Sequence, residues 1–165
     1  MTAAGYDIDQ WANFFVATLG AAAALTGLLF VAISINLTRI LNFPRLPGRA
    51  ASTLGILVAV MLTGCFGLAP DQSTLAIGIE FGVLGFAVAV QSFWVLGRRH
   101  TGADTKPHAV EQLMVVMLPA VALFIGGLSL ALGVGGGLFW TLAGVVLSFA
   151  VAVVNAWVLL VEINR

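Results

Sequence analysis

One acidic residue, Glu80, lies well inside an apolar segment of this 165-residue chain. No Lys, Arg or His lies within the hydrophobic core of any segment to pair with its carboxylate. Because an unpaired charge is costly in an apolar medium, we expect Glu80 to be protonated, to contact water or to hold a cation. The chemistry would be proton transfer or cation coordination, and Gln91, Thr63 and Ser73 are the polar residues that could assist it.

A purely structural role for Glu80 is the alternative. The residue would then be a neutral carboxylic acid that is hydrogen-bonded to a hydroxyl group at a similar depth, with Thr18, Thr63 and Thr141 as the candidates. Acids inside membranes are usually functional, yet no second acid accompanies this one. Both explanations therefore stay open at this stage.

The remaining polar patterns do not form a catalytic constellation. His100, Asp104 and His108 recur every four residues, a spacing that would suit metal ligands on one helix face, but Gly102 and Pro107 interrupt such a helix. We expect a solvated loop there and no metal site. The chain has no Ser–His pair, no phosphate-binding glycine loop and no histidine inside an apolar segment to ligate haem. We therefore expect no enzymatic activity and no cofactor.

The composition is that of a membrane protein. Hydrophobic residues make up 61% of the chain and charged residues 8%, whereas about a quarter of the residues in soluble proteins are charged. A net charge of zero argues against nucleic acid as a partner. The single cysteine, Cys65, excludes an intrachain disulfide. A single all-α domain, embedded in the bilayer over residues 1–165, is predicted.

Turn signals divide the chain into five apolar segments. Each is long enough to cross a hydrocarbon core of about 30 Å. Between the first two segments, Pro44, Pro47 and Gly48 predict a loop because these residues do not continue a helix. The predicted transmembrane helices cover residues 11–40, 50–69, 73–96, 110–132 and 138–163.

The basic residues predict the orientation of the chain. All seven follow the first, third or fifth span, and they are Arg39, Arg45, Arg49, Arg98, Arg99, Lys106 and Arg165. Positive loops are retained in the cytoplasm, so the N-terminus should lie outside and the C-terminus inside. The tryptophans agree with this, because Trp11 and Trp140 fall at predicted outer boundaries and Trp94 and Trp157 at inner ones.

Small residues recur along one face of most spans. In the first span, Gly20, Ala24 and Gly27 share such a stripe. Small side chains let membrane helices approach closely, so the stripe predicts a packing seam.

The third span has two distinct faces. Gly78, Gly82 and Gly85 line one face, and Glu80 and Gln91 lie on nearly the opposite one. A helix with a small-residue seam on one side and polar residues on the other is predicted to be central to the bundle or shared with a second copy.

The first span also resembles a known family. The stretch AAAALTGLLFVA at residues 21–32, with FFV at 14–16 before it and SINL at 34–37 after it, resembles small bacterial multi-helix integral membrane proteins. The resemblance implies a protein of the bacterial inner membrane. It carries no catalytic motif onto numbered positions of this chain.

These features favour a non-enzymatic inner-membrane protein that acts by association, as a homo-oligomer or as an accessory subunit of a membrane complex. The expected partners are the lipid bilayer and either a second copy or another membrane protein. The alternative is a small oligomeric cation channel or proton-linked transporter that uses Glu80, because a ring of acids contributed by several copies could select cations.

The orientation can be tested by cysteine accessibility in a Cys65→Ser background. We expect a membrane-impermeant thiol reagent to label intact cells carrying Thr2→Cys, Gln72→Cys or Gly136→Cys but not Thr101→Cys, since the first three positions are predicted to lie outside. Labelling at position 101 with protection at position 72 would reverse the predicted orientation.

Overall fold

The computed structural model describes residues 5–43, 46–97 and 106–163. Within these ranges the chain is helical and has no strand. A one-turn 3₁₀ helix, Ile8–Trp11, precedes six α-helices, which are α1 (Ala12–Ile35), α2 (Leu37–Asn42), α3 (Leu46–Gly67), α4 (Thr74–Gly97), α5 (Lys106–Leu132) and α6 (Leu138–Ile163).

The described part of the chain has four helical stretches that are long and apolar enough to cross a membrane, and they are Ile8–Ile35, Leu46–Gly67, Thr74–Trp94 and Leu138–Leu159. α5 adds a shorter apolar stretch, Val116–Leu132. Large apolar side chains such as Phe30, Phe86 and Val146 are exposed on the outer surface. Soluble proteins rarely expose such continuous apolar surface, so these helices indicate a multi-pass membrane protein.

Contacts at glycines show that neighbouring helices run antiparallel. Gly67, at the end of α3, lies against the ring of Phe15 near the start of α1. In the same way Gly78, near the start of α4, lies against Ala131 near the end of α5. One end of the bundle therefore holds the N-terminus of α1, the turn between α3 and α4, and the loop between α5 and α6. We call this the turn end; α2 and the start of α3 lie at the opposite, basic end.

The central helix of the bundle is α3, the second predicted span. It packs against α1, α4 and α6, and 56% of its most apolar stretch is buried, compared with 33% for α4. Its side chains Leu57 and Val60 are both nearly inaccessible. α4, the predicted central or shared helix, instead lies between α3 and α5.

Helix α3 begins earlier than the prediction. Pro47 and Gly48 lie in its first turn, so the predicted loop at these residues is wrong. The first backbone N–H groups of a helix have no intrahelical acceptor, and a proline there loses no hydrogen bond.

The first predicted span is interrupted near its end. α1 ends at Ile35, and α2 begins at Leu37 after a break at Asn36. The Asn36 side-chain amide donates a hydrogen bond to the Ala32 carbonyl at 3.0 Å. A side chain that bonds to a backbone carbonyl one turn earlier offers the chain an alternative to the helical ladder.

At the turn end, the N-terminal segment is fastened to the α5–α6 loop. The Leu138 backbone N–H donates to the Gly5 carbonyl at 2.8 Å, and the Gly136 N–H donates to the Tyr6 hydroxyl at 2.9 Å. Gly136 has a φ of 108°, a conformation that L side chains rarely adopt. These contacts hold the start of α1 beside the start of α6.

Helices α4 and α5 approach each other more closely than a side chain would allow. A Cβ on Gly85 would lie 2.5 Å from the Phe124 backbone nitrogen, and one on Gly78 would lie 2.6 Å from the Ala131 nitrogen. Gly127 of α5 is likewise packed against the backbone of Gly82. A Cβ on Gly82 itself, however, would meet no described atom within 4 Å.

The pair Gly85→Ala and Gly82→Ala tests this close contact. Gly85→Ala should destabilise the protein by about 1–3 kcal/mol, because its methyl group would overlap the α5 backbone. Gly82→Ala should be neutral or stabilising by up to about 1 kcal/mol, because the site has space and Ala favours the helix. The free energy of unfolding in mixed detergent micelles measures both. Equal destabilisation by the two variants would contradict the contact.

Candidate functional site

Two of the predicted site residues use their hydroxyl groups for hydrogen bonds within their own helices. The Thr63 hydroxyl is buried and donates to the Ala59 carbonyl at 2.8 Å, one turn earlier in α3. The Ser73 hydroxyl accepts a hydrogen bond from the Ala76 N–H at 3.2 Å, which caps the start of α4. Neither hydroxyl is directed at Glu80 by these bonds.

Gln91 joins α4 to α3. Its side-chain amide donates to the Ala51 carbonyl at 3.1 Å. The same side chain occupies the space that a Cβ on Gly55 would fill, so the glycine lets the amide lie against the α3 backbone. Gln91 is eleven residues beyond Glu80, or about 16 Å along the helix axis. The structure thus separates Gln91 from Glu80 and gives it an interhelical contact.

Glu80 is paired with a residue that the sequence analysis did not single out. The Gln72 side-chain amide donates to Glu80 Oε1 at 3.2 Å. Gln72 lies in the turn before α4, and both side chains are partly buried. The carboxyl group of Glu80 is therefore within reach of a polar turn at the end of the bundle.

Each member of this pair has one oxygen without a partner. Glu80 Oε2 and Gln72 Oε1 are both buried from solvent, and neither has a hydrogen-bond partner in the described part of the chain. Buried polar atoms are rarely unpaired in proteins, because each costs about 1–3 kcal/mol. These two oxygens can therefore accept a hydrogen bond from a further donor.

The expected threonine partners for Glu80 are not its partners. Thr18 donates to the Phe14 carbonyl at 2.8 Å, and Thr63 donates within α3 as described above. The buried Thr141 hydroxyl has no partner among the described residues and lies against Gly126 of α5. The threonine expectation was wrong for Thr18 and Thr63 because hydroxyl groups in a helix can bond to the preceding turn, and Thr141 lies against α5 without bonding to Glu80.

The turn geometry explains why Gln72 was missed. Asp71 has a φ of 57°, a left-handed conformation that reverses the chain before α4 begins. Gln72 can then reach Glu80, eight residues later. Helical periodicity relates residues three, four or seven apart and does not relate these two.

The predicted seam residues have different surroundings. Gly78 and Gly85 contact α5, as described above, whereas Gly20 and Gly27 of α1 are exposed. A Cβ on Gly20 or Gly27 would meet no atom of the described chain within 4 Å. The α1 stripe therefore faces outward and does not pack within the chain.

The metal and basic-residue patterns fall partly outside the described ranges. His100 and Asp104 lie outside them, and among the residues that the structure covers no group of three His, Cys, Asp or Glu could hold a metal ion. Arg39 and Arg49 lie in α2 and in the first turn of α3, at the basic end of the bundle.

No protein-family model, curated protein or solved structure matches this chain. The class of the protein, a multi-pass helical membrane protein, therefore rests on its own helices and on their exposed apolar surface.

The contact between Gln91 and Gly55 can be tested by a double-mutant cycle. Gln91→Leu removes the hydrogen bond to Ala51, and Gly55→Ala displaces the same amide, so each should cost about 0.5–1 kcal/mol of unfolding free energy. The double variant should cost little more than either single variant, because both remove one interaction. Fully additive costs would show that the two residues act independently.

Proposed function

We propose that this chain is a non-enzymatic protein of the bacterial inner membrane that acts by association with other membrane helices. The partner is a second copy of the chain or another subunit of a membrane complex, and the outward face of α1 is the contact surface. The observation that carries this proposal is the outward position of the small-residue stripe of α1.

The outward face of α1 has its smallest residues at its centre. On a helical projection the exposed residues of α1 form one continuous arc, and its middle includes Asn13, Gly20, Ala24, Gly27, Val31 and Ser34. Larger apolar residues, including Leu28 and Phe30, border the arc on its two sides. The result is a shallow groove along α1 that another helix can approach closely.

The position of α1 in the bundle agrees with this role. Only 11% of its most apolar stretch is buried, the smallest share among the described candidate spans. It contacts chiefly α3, through residues such as Phe15 and Ala22 on its inner side. Membrane helices associate mainly through packing and hydrogen bonds, so a small-residue face with the exposed Asn13 on it favours a helical partner.

Five spans and an N-out orientation are part of the proposal. α5 connects the basic end of α4 to the start of α6 at the turn end, so the chain must run the length of the bundle between them. With its 27 residues, α5 is about 40 Å long, which is sufficient for that path. The basic residues in the described ranges, Arg39, Arg49 and Lys106, all belong to the end proposed to face the cytoplasm.

The alternative of a cation channel or proton-linked transporter has less support from these contacts. A channel needs a continuous wet path lined by polar groups. Thr63, Ser73, Glu80 and Gln91 each bond a different neighbour, so they do not form such a lining within one chain. A path between copies would require Glu80 at the contact, whereas the α1 stripe is on another helix.

The variants Ala24→Leu and Ala87→Leu form a matched test. Both residues are exposed on apolar helices, and both changes add the same volume, but Ala87 lies on α4 among large side chains. We expect Ala24→Leu to weaken association at least tenfold because it fills the α1 groove, and Ala87→Leu to leave it unchanged. Native mass spectrometry from nanodiscs, with subunit counting by photobleaching, measures the stoichiometry.

The outcome also distinguishes the partners. Wild-type oligomers that Ala24→Leu dissociates support self-association. A monomeric purified chain that co-purifies from its own membranes with an unrelated protein, and loses it in Ala24→Leu, supports the accessory role. Equal association of wild type and both variants would overturn the proposed surface.

A further inference from the structure

The hydrogen bond between Gln72 and Glu80 joins two side chains that each have one buried acceptor without a partner. Gln72 donates one hydrogen bond to Glu80 Oε1, and this bond uses the donor that faces the acid. The remaining atoms, Glu80 Oε2 and Gln72 Oε1, can only accept if the acid is ionised, and neither has a donor in the described part of the chain. An ionised Glu80 would therefore leave both oxygens unsatisfied.

We propose that Glu80 and Gln72 form a proton-binding site. Glu80 takes one proton from a hydronium ion at the turn end, which is left as water; an O–H bond forms on Oε2, and that hydroxyl donates to Gln72 Oε1. The carboxylic acid and the amide then exchange two hydrogen bonds in a closed ring, and both unpartnered oxygens are satisfied at once. The terminal torsions of Glu and Gln side chains are soft, so they can rotate to form this ring.

A metal cation fits the same atoms less well. Metal cations such as Ca²⁺ take about six to eight oxygen ligands. The pair offers two unpartnered oxygens, and both are shielded from the water that would have to complete the coordination shell. A proton needs one oxygen to carry it and one acceptor, which is what the two side chains provide.

The titratable residues that the structure describes at this end are Tyr6, Asp7 and Asp9 of the N-terminal segment, Asp71 of the turn and Cys65 of α3. α5 and α6 have no titratable residue in their described turns at this end. None of these residues is basic, so the described part of this end has no cation that could pair with an ionised Glu80.

This site involves α4 and the turn before it, and it does not depend on the α1 surface proposed above. A proton held by the acid–amide pair near the start of α4 adds a second hydrogen bond between the turn and the helix. Its loss removes the bond that the acid donates to Gln72 Oε1 and leaves the bond that Gln72 donates to Glu80 Oε1. Protonation of Glu80 therefore changes the number of hydrogen bonds that join the α3–α4 turn to α4.

Infrared difference spectroscopy of the full chain in nanodiscs tests the proposal. Wild-type protein should show a C=O stretching band of a protonated, hydrogen-bonded carboxyl group that moves in heavy water and is lost in Glu80→Gln. Gln72→Met removes the hydrogen-bond partner but keeps the acid, so the band should remain and move to higher frequency. Asp71→Asn is the matched control, because Asp71 is exposed in the same turn and Asn tolerates its left-handed backbone; the band should be unchanged.

Thermal unfolding provides a second measurement. Glu80→Gln keeps both hydrogen bonds, since an amide can donate where the acid did, and should retain the wild-type melting temperature, whereas Glu80→Met should lower it. Absence of a protonated carboxyl band in correctly folded wild type and Gln72→Met would overturn the proposal. Disappearance of the band when choline chloride is replaced by sodium or potassium chloride would also overturn it, because a cation would then occupy the site.

Discussion

The close approach of α4 and α5 is the contact on which the rest of the bundle depends. Gly78 and Gly85 let the backbones of α4 and α5 contact each other at positions where a methyl group on α4 would overlap the α5 backbone. Between apolar helices in lipid the hydrophobic effect offers little attraction, so packing at such places provides much of the association energy. Because α5 holds α6, and α6 in turn contacts α3, a disturbed α4–α5 contact would propagate through the bundle.

The apolar surroundings also explain the hydrogen bonds of several hydroxyl groups. Thr18, Thr63 and Ser148 all donate to a carbonyl one turn earlier, which removes their hydrogen-bonding demand within their own helix. Side chains satisfied in this way are compatible with an apolar surrounding and contribute little chemistry. The unpartnered oxygens of Gln72 and Glu80, together with the Thr141 hydroxyl, are distinctive against that background in the described part of the chain.

The bundle has two chemically different ends. The turn end carries Asp7, Asp9 and Asp71, and its loops are held together by backbone hydrogen bonds and by the Tyr6 hydroxyl. The basic end carries Arg39 and Arg49. The acid–amide pair lies toward the turn end, whereas the small-residue stripe of α1 extends along the helix, so the proposed proton-binding site and the proposed association surface are separate.

The sequence predicts an all-helical membrane protein with apolar segments separated by turns, because hydropathy is a local property, and the described helices agree with this. It also singles out Glu80 as unusual and predicts a glycine seam in the third span. It could not show that Gln72 is the partner of Glu80, since that contact depends on the left-handed turn at Asp71. Nor could it show that the two glycine stripes differ. Gly78 and Gly85 pack against the backbone of α5, whereas a Cβ on Gly20 or Gly27 would meet no atom of the described chain within 4 Å. Small residues permit a close helix approach, but only the tertiary arrangement decides which helix, if any, is there to make it.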